Sequence, residues 1–157
     1  MTDIVDKATR SRMMSGIKGK DTQPELRVRK ELHKLGFRYK LHQKGMPGKP
    51  DLVFPKYKAI LFINGCFWHG HDCHLFKYPA TQKEFWREKI NKTKETDSRN
   101  ISLLIKDGWR VLEIWECSLK GSEKIGLEEV IYHTTTWLVS ECNFLEIRGI
   151  TRNKLNE

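Results

Sequence analysis

Apolar side chains along this chain gather in two short dense runs, "KAILFIN" at residues 58–64 and "WRVLEIW" at residues 109–115. Runs of that length without alternation predict central strands buried on both faces. Between them, residues 82–107 carry Trp86, Ile90, Thr93, Ile101 and Leu104 at helical spacing, and Gly108 ends the stretch. This predicts one long helix, and a crossover of that length most easily returns the second strand parallel to the first. Upstream, "TQPE" starts a helix: Thr22 can cap, Pro24 suits the first turn, and Glu25 falls three residues after the cap, as in a capping box. Val28, Leu32 and Leu35 form its apolar stripe, and Gly36 stops it. "FRYKL" alternates as a strand does, "HQKGMPGKP" is a loop of turn formers, and "DLVF" is a short strand, the expected antiparallel partner of "KAILFIN". "EKIGLEEVIYHTTTWLVSEC" supplies a last helix. "TRSRMMSGIK" at residues 9–18 makes a short basic helix, and "RGITRNKLNE" is a frayed tail. The expected architecture is α/β, a mixed sheet flanked by helices.

Length and charge narrow the class. A chain of 157 residues builds one core without disulfide help. Its divisions are read as a basic arm over residues 1–20, a main domain over 21–145 and a tail over 146–157. The formal charge is +9, and residues 7–49 alone hold 13 Lys and Arg against 3 Asp and Glu. A concentrated basic excess points to a polyanionic partner, with nucleic acid ahead of a membrane, because no amphipathic stretch is apolar enough to lie in a bilayer. The bland alternative is a solvated basic face. "MTDIVDKATR" lacks the apolar run of a signal peptide, so a cytoplasmic location is expected. In that reducing compartment the four cysteines are expected as thiols or metal ligands.

The stretch "NGCFWHGHDCH", residues 64–74, brings two of those cysteines together with three histidines. Cys66, His71 and Cys73 read as C-x4-H-x-C, and Cys117 stands just beyond "WRVLEIW". If the two apolar strands are neighbours their C-terminal ends meet, and Cys117 reaches the loop. Four N and S donors with no open position are the mark of a structural zinc site. His69 or His74 could replace His71 in that set. Buried free thiols beside incidental histidines are the alternative. Cys142 is expected in the core. A zinc deaminase is set aside, because neither H-x-E nor P-C-x-x-C is present.

"GKPD" puts Asp51 where a loop passes into a strand. This resembles the Pro-Asp half of a restriction-endonuclease-like fold, whose second half is usually Asp or Glu, any residue, then Lys. Phe62, Ile63 and Asn64 occupy that place instead. Taken together, "DKATRSRMM", "PGKPD", "GCFWHGHDCHLFKYPAT", "EFWREKI" and "GWRVLEIWEC" resemble the very short patch repair endonucleases in order and spacing over roughly residues 6–120. The resemblance implies a Mg2+-dependent enzyme that binds double-stranded DNA at a T·G mismatch, left by deamination of 5-methylcytosine, and cuts 5′ of the thymine. It makes Asp51 and the main-chain oxygen of Ile63 ligands of Mg2+, His69 the general base and Asp97 its acidic companion. Glu25 is either a ligand through water or a plain capping residue. Asn64 departs from the pattern, which has histidine there. It can hydrogen-bond but cannot be cationic, so cleavage is expected to be reduced or differently pH-dependent.

Phe67 and Trp68 stand between zinc ligands, where a polar loop has no reason to display large rings, and Trp86 begins the helix beyond. The resemblance makes these three a wedge between base pairs from the major groove, with Met14 and Ile17 closing from the minor groove. Stacking returns about 1–3 kcal/mol per base, against an unstacking cost that is least at a mismatch. Trp86 as ordinary core is the competing reading. The function expected is a mismatch-directed, monomeric nicking enzyme with a structural zinc. The alternatives are a related nuclease of other duplex preference and a zinc-stabilised DNA-binding protein that does not cut. Recruitment by mismatch-repair proteins is left open.

Overall fold

A computed structural model describes residues 21–151. Met14, Ile17 and the basic stretch at residues 9–18 lie outside the described residues. The order is helix α1 (Gln23–Lys34), strands β1 (Lys40–Leu41), β2 (Leu52–Phe54) and β3 (Ala59–Asn64), the long helix α2 (Lys83–Lys106), β4 (Arg110–Trp115), α3 (Leu127–Leu138) and β5 (Phe144–Ile147). The strands form one sheet in the order β1-β2-β3-β4-β5. β1, β2 and β3 are antiparallel in turn, whereas β4 runs parallel to both β3 and β5.

The two dense apolar runs are the two central strands, and α2 is the crossover that makes them parallel. Odd and even positions divide the core between the faces of the sheet. Leu61, Ile63, Leu112 and Ile114 pack with Val28 and Leu32 of α1 and Val130, Trp137 and Leu138 of α3. Ile60 and Val111 pack with Leu104 of α2, with Phe62 and Ile101 against them. The parallel register, Asn64 opposite Trp115, carries both strands to the same end of the sheet. The functional loops leave from that end.

Local chemistry sets the boundaries. Thr22 Oγ1 accepts the amide of Glu25 at the start of α1, and Gly36, at φ +95°, turns the chain away at its end. The reciprocal half of the expected capping box is shifted: Glu25 Oε1 accepts the amide of Asp21, the residue before the cap. Leu35 does not extend the buried stripe. It is the capping residue, already outside the helix, and is 58% exposed. "FRYKL" yields only a two-residue strand: Phe37 and Tyr39 turn in to pack on Tyr57 and Phe54, and only Lys40 and Leu41 pair with β2.

The sheet carries a fifth strand that the apolar pattern did not announce: β5 pairs with β4. One further expectation is corrected. Cys142 is exposed, in the connection before β5, rather than in the core. Among the described residues no helix is long and apolar enough to cross a membrane.

Candidate active site and metal centre

Asp51 ends the turn-forming loop and opens β2. Because β2 and β3 are antiparallel with Leu52 opposite Leu61, Asp51 faces the C-terminal end of β3, and its Oδ2 accepts the amide of Ile63 at 2.7 Å. Gly48 lets the preceding loop lie against Phe62. Its φ is +78°, and a Cβ there would come within 3.1 Å of the Phe62 ring. Burial pushes the Asp51 carboxyl up to about 7 against the pull of the Ile63 amide; the Glu25 charge pushes the same way, while His42 and His69 pull down. For this carboxyl burial outweighs the pull of the two imidazoles. His69 is near enough for its charge to be felt there.

Glu25, in the first turn of α1, is almost fully buried, and its charge acts on this carboxyl. Its Oε2 receives Arg29 Nη1 at 2.6 Å and stands 2.8 Å from His42 Nε2. Asp21, Glu25 and His42 bring three donor atoms close enough for a cation. The Arg29 guanidinium, also 2.7 Å from Asp21 Oδ1, already supplies positive charge to that cluster.

The loop after β3 carries the chemistry-bearing residues past the long helix. His69 Nδ1 lies 2.6 Å from Asp97 Oδ2 on α2, both side chains half-buried. Next to them Asn64 Nδ2 donates to Glu113 Oε2 at 2.9 Å, both residues buried. A space of about 40 Å3 touches Asn64, His69, Asp97 and Glu113. An open cleft of about 460 Å3 adjoins it, lined by His69, Lys94, Asp97, Ser98, Glu113 and Trp115. Gly70, at φ +63°, lets the loop press on α2, for a Cβ there would sit 2.5 Å from Ile90 Cγ2. Glu113 is the residue that sequence reasoning missed. Its signal was there, a glutamate in the middle of an otherwise apolar strand.

Cys66, His71, Cys73 and Cys117 converge with all four donor atoms within 4.8 Å of one another. His71, not His69 or His74, joins the three thiols. His69 is held by Asp97, and His74 Nδ1 lies 2.9 Å from Glu123 Oε1. Both Cys66 Sγ and Cys117 Sγ stand 3.6 Å from His71 Nδ1. A tetrahedral ion with bonds of about 2.3 Å to sulfur and 2.0–2.1 Å to nitrogen sets an edge of about that length. The second layer suits thiolates as well. The amide of Cys117 donates to Cys66 Sγ and that of Gly149 to Cys117 Sγ, each at 3.3 Å. The Cys117 thiol is pushed down to about 4, chiefly by a hydrogen bond with Cys66 and further by His71 and the Gly149 amide, with burial opposing. The His71 ring stacks on Trp115 at 4.0 Å and 10°. Its Nε2 is buried without a hydrogen-bond partner among the described residues, so Nδ1 is the nitrogen turned to the sulfurs. The cluster can hold a metal ion, and the Arg148 guanidinium ties the same loop down through Asp72.

Phe67, Trp68 and Trp86 form one half-buried cluster of edge and tilted contacts. Ring centroids are 5.0 Å apart for Phe67 and Trp68, 5.4 Å for Phe67 and Trp86, and 5.9 Å for the two tryptophans. Trp86 is therefore not ordinary core. Phe85 beside it is exposed.

Comparison of the whole sequence with known proteins gives its family. Residues 2–75 match the family model described as DNA mismatch endonuclease Vsr. The chain is 45% identical over 141 residues to the DNA mismatch endonuclease Vsr of Escherichia coli (strain K12), covering 90% of each chain. It is 48% identical over 121 residues to the type II nicking enzyme V.NmeAIP of Neisseria meningitidis serogroup A, covering 77% of this chain and 86% of that one. To the type II nicking enzyme V.XorIIP of Xanthomonas oryzae pv. oryzae it is 41% identical over 119 residues, 76% of this chain and 88% of the other. With likeness of that depth running almost end to end, around a His–Asp pair and a Cys3His cluster on neighbouring strand ends, the chain belongs to the family of Vsr DNA mismatch endonucleases.

Proposed function

We propose that this protein is a Mg2+-dependent endonuclease that nicks double-stranded DNA at a T·G mismatch, on the 5′ side of the thymine, to begin repair of deaminated 5-methylcytosine. Relatives named as a DNA mismatch endonuclease and as nicking enzymes support the substrate and the single-strand cut. The observation in this molecule that carries the chemistry is the 2.6 Å contact between His69 and Asp97 on a cleft whose histidine acts electrostatically on Asp51.

Asp97 takes the Nδ1 side of the imidazole, which leaves Nε2 as the lone pair that removes a proton from water. Asp51 and the main-chain oxygen of Ile63 are the hard oxygen donors that would hold Mg2+. A carboxyl pushed up by burial and an acidic neighbour suits a cation of that kind. When bound, the ion neutralises charge that develops on the phosphate. Glu25 adds negative charge behind Asp51 and would act on such an ion through water. Asn64 offers an uncharged hydrogen bond where a histidine would offer a charged one, so the rate depends less on a cationic side chain. The Cys66, His71, Cys73 and Cys117 cluster is read as structural zinc, clamping the loop on both sides of His69. Phe67, Trp68 and Trp86 stack into the mismatched step from the major groove, with Met14 and Ile17 of the N-terminal arm opposite them. The enzyme acts as a monomer on DNA in the cytoplasm.

The test is a nicking assay on T·G and matched duplexes, with and without Mg2+, for the parent and for Asp51→Ala. Cuts in the T·G duplex alone, lost without Mg2+ and in the variant, are expected. Binding without Mg2+-dependent cuts would establish the non-cleaving reading instead, and equal cutting of matched duplex a different preference.

A further inference from the structure

Glu113 sits in β4 among Val111, Leu112, Ile114 and Trp115 and is 6% exposed. In register it lies between Phe62 of β3 and Glu146 of β5, on the sheet face that α2 covers. The groups that act on it most are Glu146 and Asp97, which are acidic, against a hydrogen bond from Asn64 and the His69 charge. Lys94, His71 and Asp72 line the cleft outside it. A leucine here would be buried at no electrostatic cost, whereas a carboxyl between two acids is held against the stability of the fold. Among the described residues the hydrogen bond it obtains is from the amide nitrogen of Asn64, at 2.9 Å.

A carboxamide has a donor end and an acceptor end, and Glu113 Oε2 accepts from the donor end of Asn64. Whatever binds Asn64 Nδ2 therefore decides that Oδ1 is the group left over. The adjoining space of about 40 Å3, shared by Asn64, His69 and Asp97, has room for a water molecule. Resting on the reading of this site as the cleavage centre, we propose that Glu113 is a positioning residue: it grips the Asn64 amide so that Oδ1 faces the small space beside His69 and Asp97. There Oδ1 accepts a hydrogen bond from a water and orders it next to the base. Burial, together with Glu146 and Asp97, pushes the Glu113 carboxyl up to about 7, which measures how unfavourable the position is for the fold alone.

A double-mutant cycle on nicking of the T·G duplex tests this, with melting temperature followed in parallel. Glu113→Leu, which offers no acceptor, is expected to lower kcat about tenfold with KM unchanged while the protein melts higher. Glu113→Gln, which keeps an acceptor oxygen, recovers most of that loss. In an Asn64→Ala background, Glu113→Leu produces no further loss. Full kcat in Glu113→Leu, no recovery by Gln, or an equal loss in both backgrounds would overturn the positioning role. If the parent nicks and Asp51→Ala does not, that result stands apart from the functional reading. A parent that makes no Mg2+-dependent nick overturns both.

Discussion

His69 Nδ1 and Asp97 Oδ2 lie 2.6 Å apart, joining the loop after β3 to the middle of the long helix. On the proposed function the carboxylate would hold the proton on Nδ1 and leave Nε2 free to accept one. Asp97→Asn keeps the shape but can present its amide nitrogen to the ring, which favours the wrong tautomer. A drop in kcat of about 10²- to 10⁴-fold is expected, with binding of the mismatched duplex retained. Single-turnover nicking measured beside equilibrium binding checks it; a variant as fast as the parent removes His69 from the role of base.

Gly70 presses the same loop on α2, with φ +63° and no room for a Cβ against Ile90 and Lys94. Gly70→Ala should destabilise the fold by about 1–3 kcal/mol and slow nicking as the His69 ring shifts. Urea unfolding and nicking rates on the same preparation report both effects, and an unchanged midpoint would contradict this packing.

The four donors on the loop and beyond β4 should bind about one equivalent of zinc. Stripping it with a strong chelator, or replacing Cys117 by serine, is expected to lower the melting temperature and nicking together, because the base loses its fixed position. Metal analysis and thermal melts decide this. A melting temperature untouched by chelation would show that the thiols alone hold the loop.

Trp68 packs on Phe67 and Trp86 rather than in the main core. Trp68→Ala should weaken T·G binding by about 1–3 kcal/mol, with little loss on matched duplex, so the preference for the mismatch narrows. Competition binding with the two duplexes measures it. Equal discrimination in parent and variant would end the wedge assignment.

The Glu113 carboxyl rises from 4.5 unfolded to about 7 folded. The folded state therefore holds the proton more tightly, and stability is lost as pH rises through that window. The loss amounts to roughly 3 kcal/mol from this group when the shift is converted. Asp51 adds a slope of the same sign, from 3.8 to about 7. In Glu113→Gln the fall between pH 4.5 and 7 should be visibly shallower than in the parent, by urea unfolding across pH. Parallel curves would mean that the carboxyl is ordinary.

Much of the scaffold was legible because dense apolar runs and glycine stops are local signals. β3, β4 and α2 follow from them directly, as does the start of α1 at Thr22. β5 escaped because four residues with one buried side chain carry almost no periodicity; it is a strand only because β4 offers it an open edge. Leu35 misled for a related reason, since its environment depends on where the chain turns and not on its spacing.

By itself the sequence determined which residue types are available for chemistry, and the order of elements that separates them along the chain. Tertiary structure decided which of them meet. Parallel pairing of β3 with β4 brings Cys117 to Cys66 and Glu113 to Asn64, contacts between residues 51 and 49 positions apart. The packing of α2 across the sheet decided that His69 belongs to Asp97 and His71 to the thiols, a choice the spacing left open. Strand register and helix packing are set by burying the whole apolar face at once, so no short window of residues contains them.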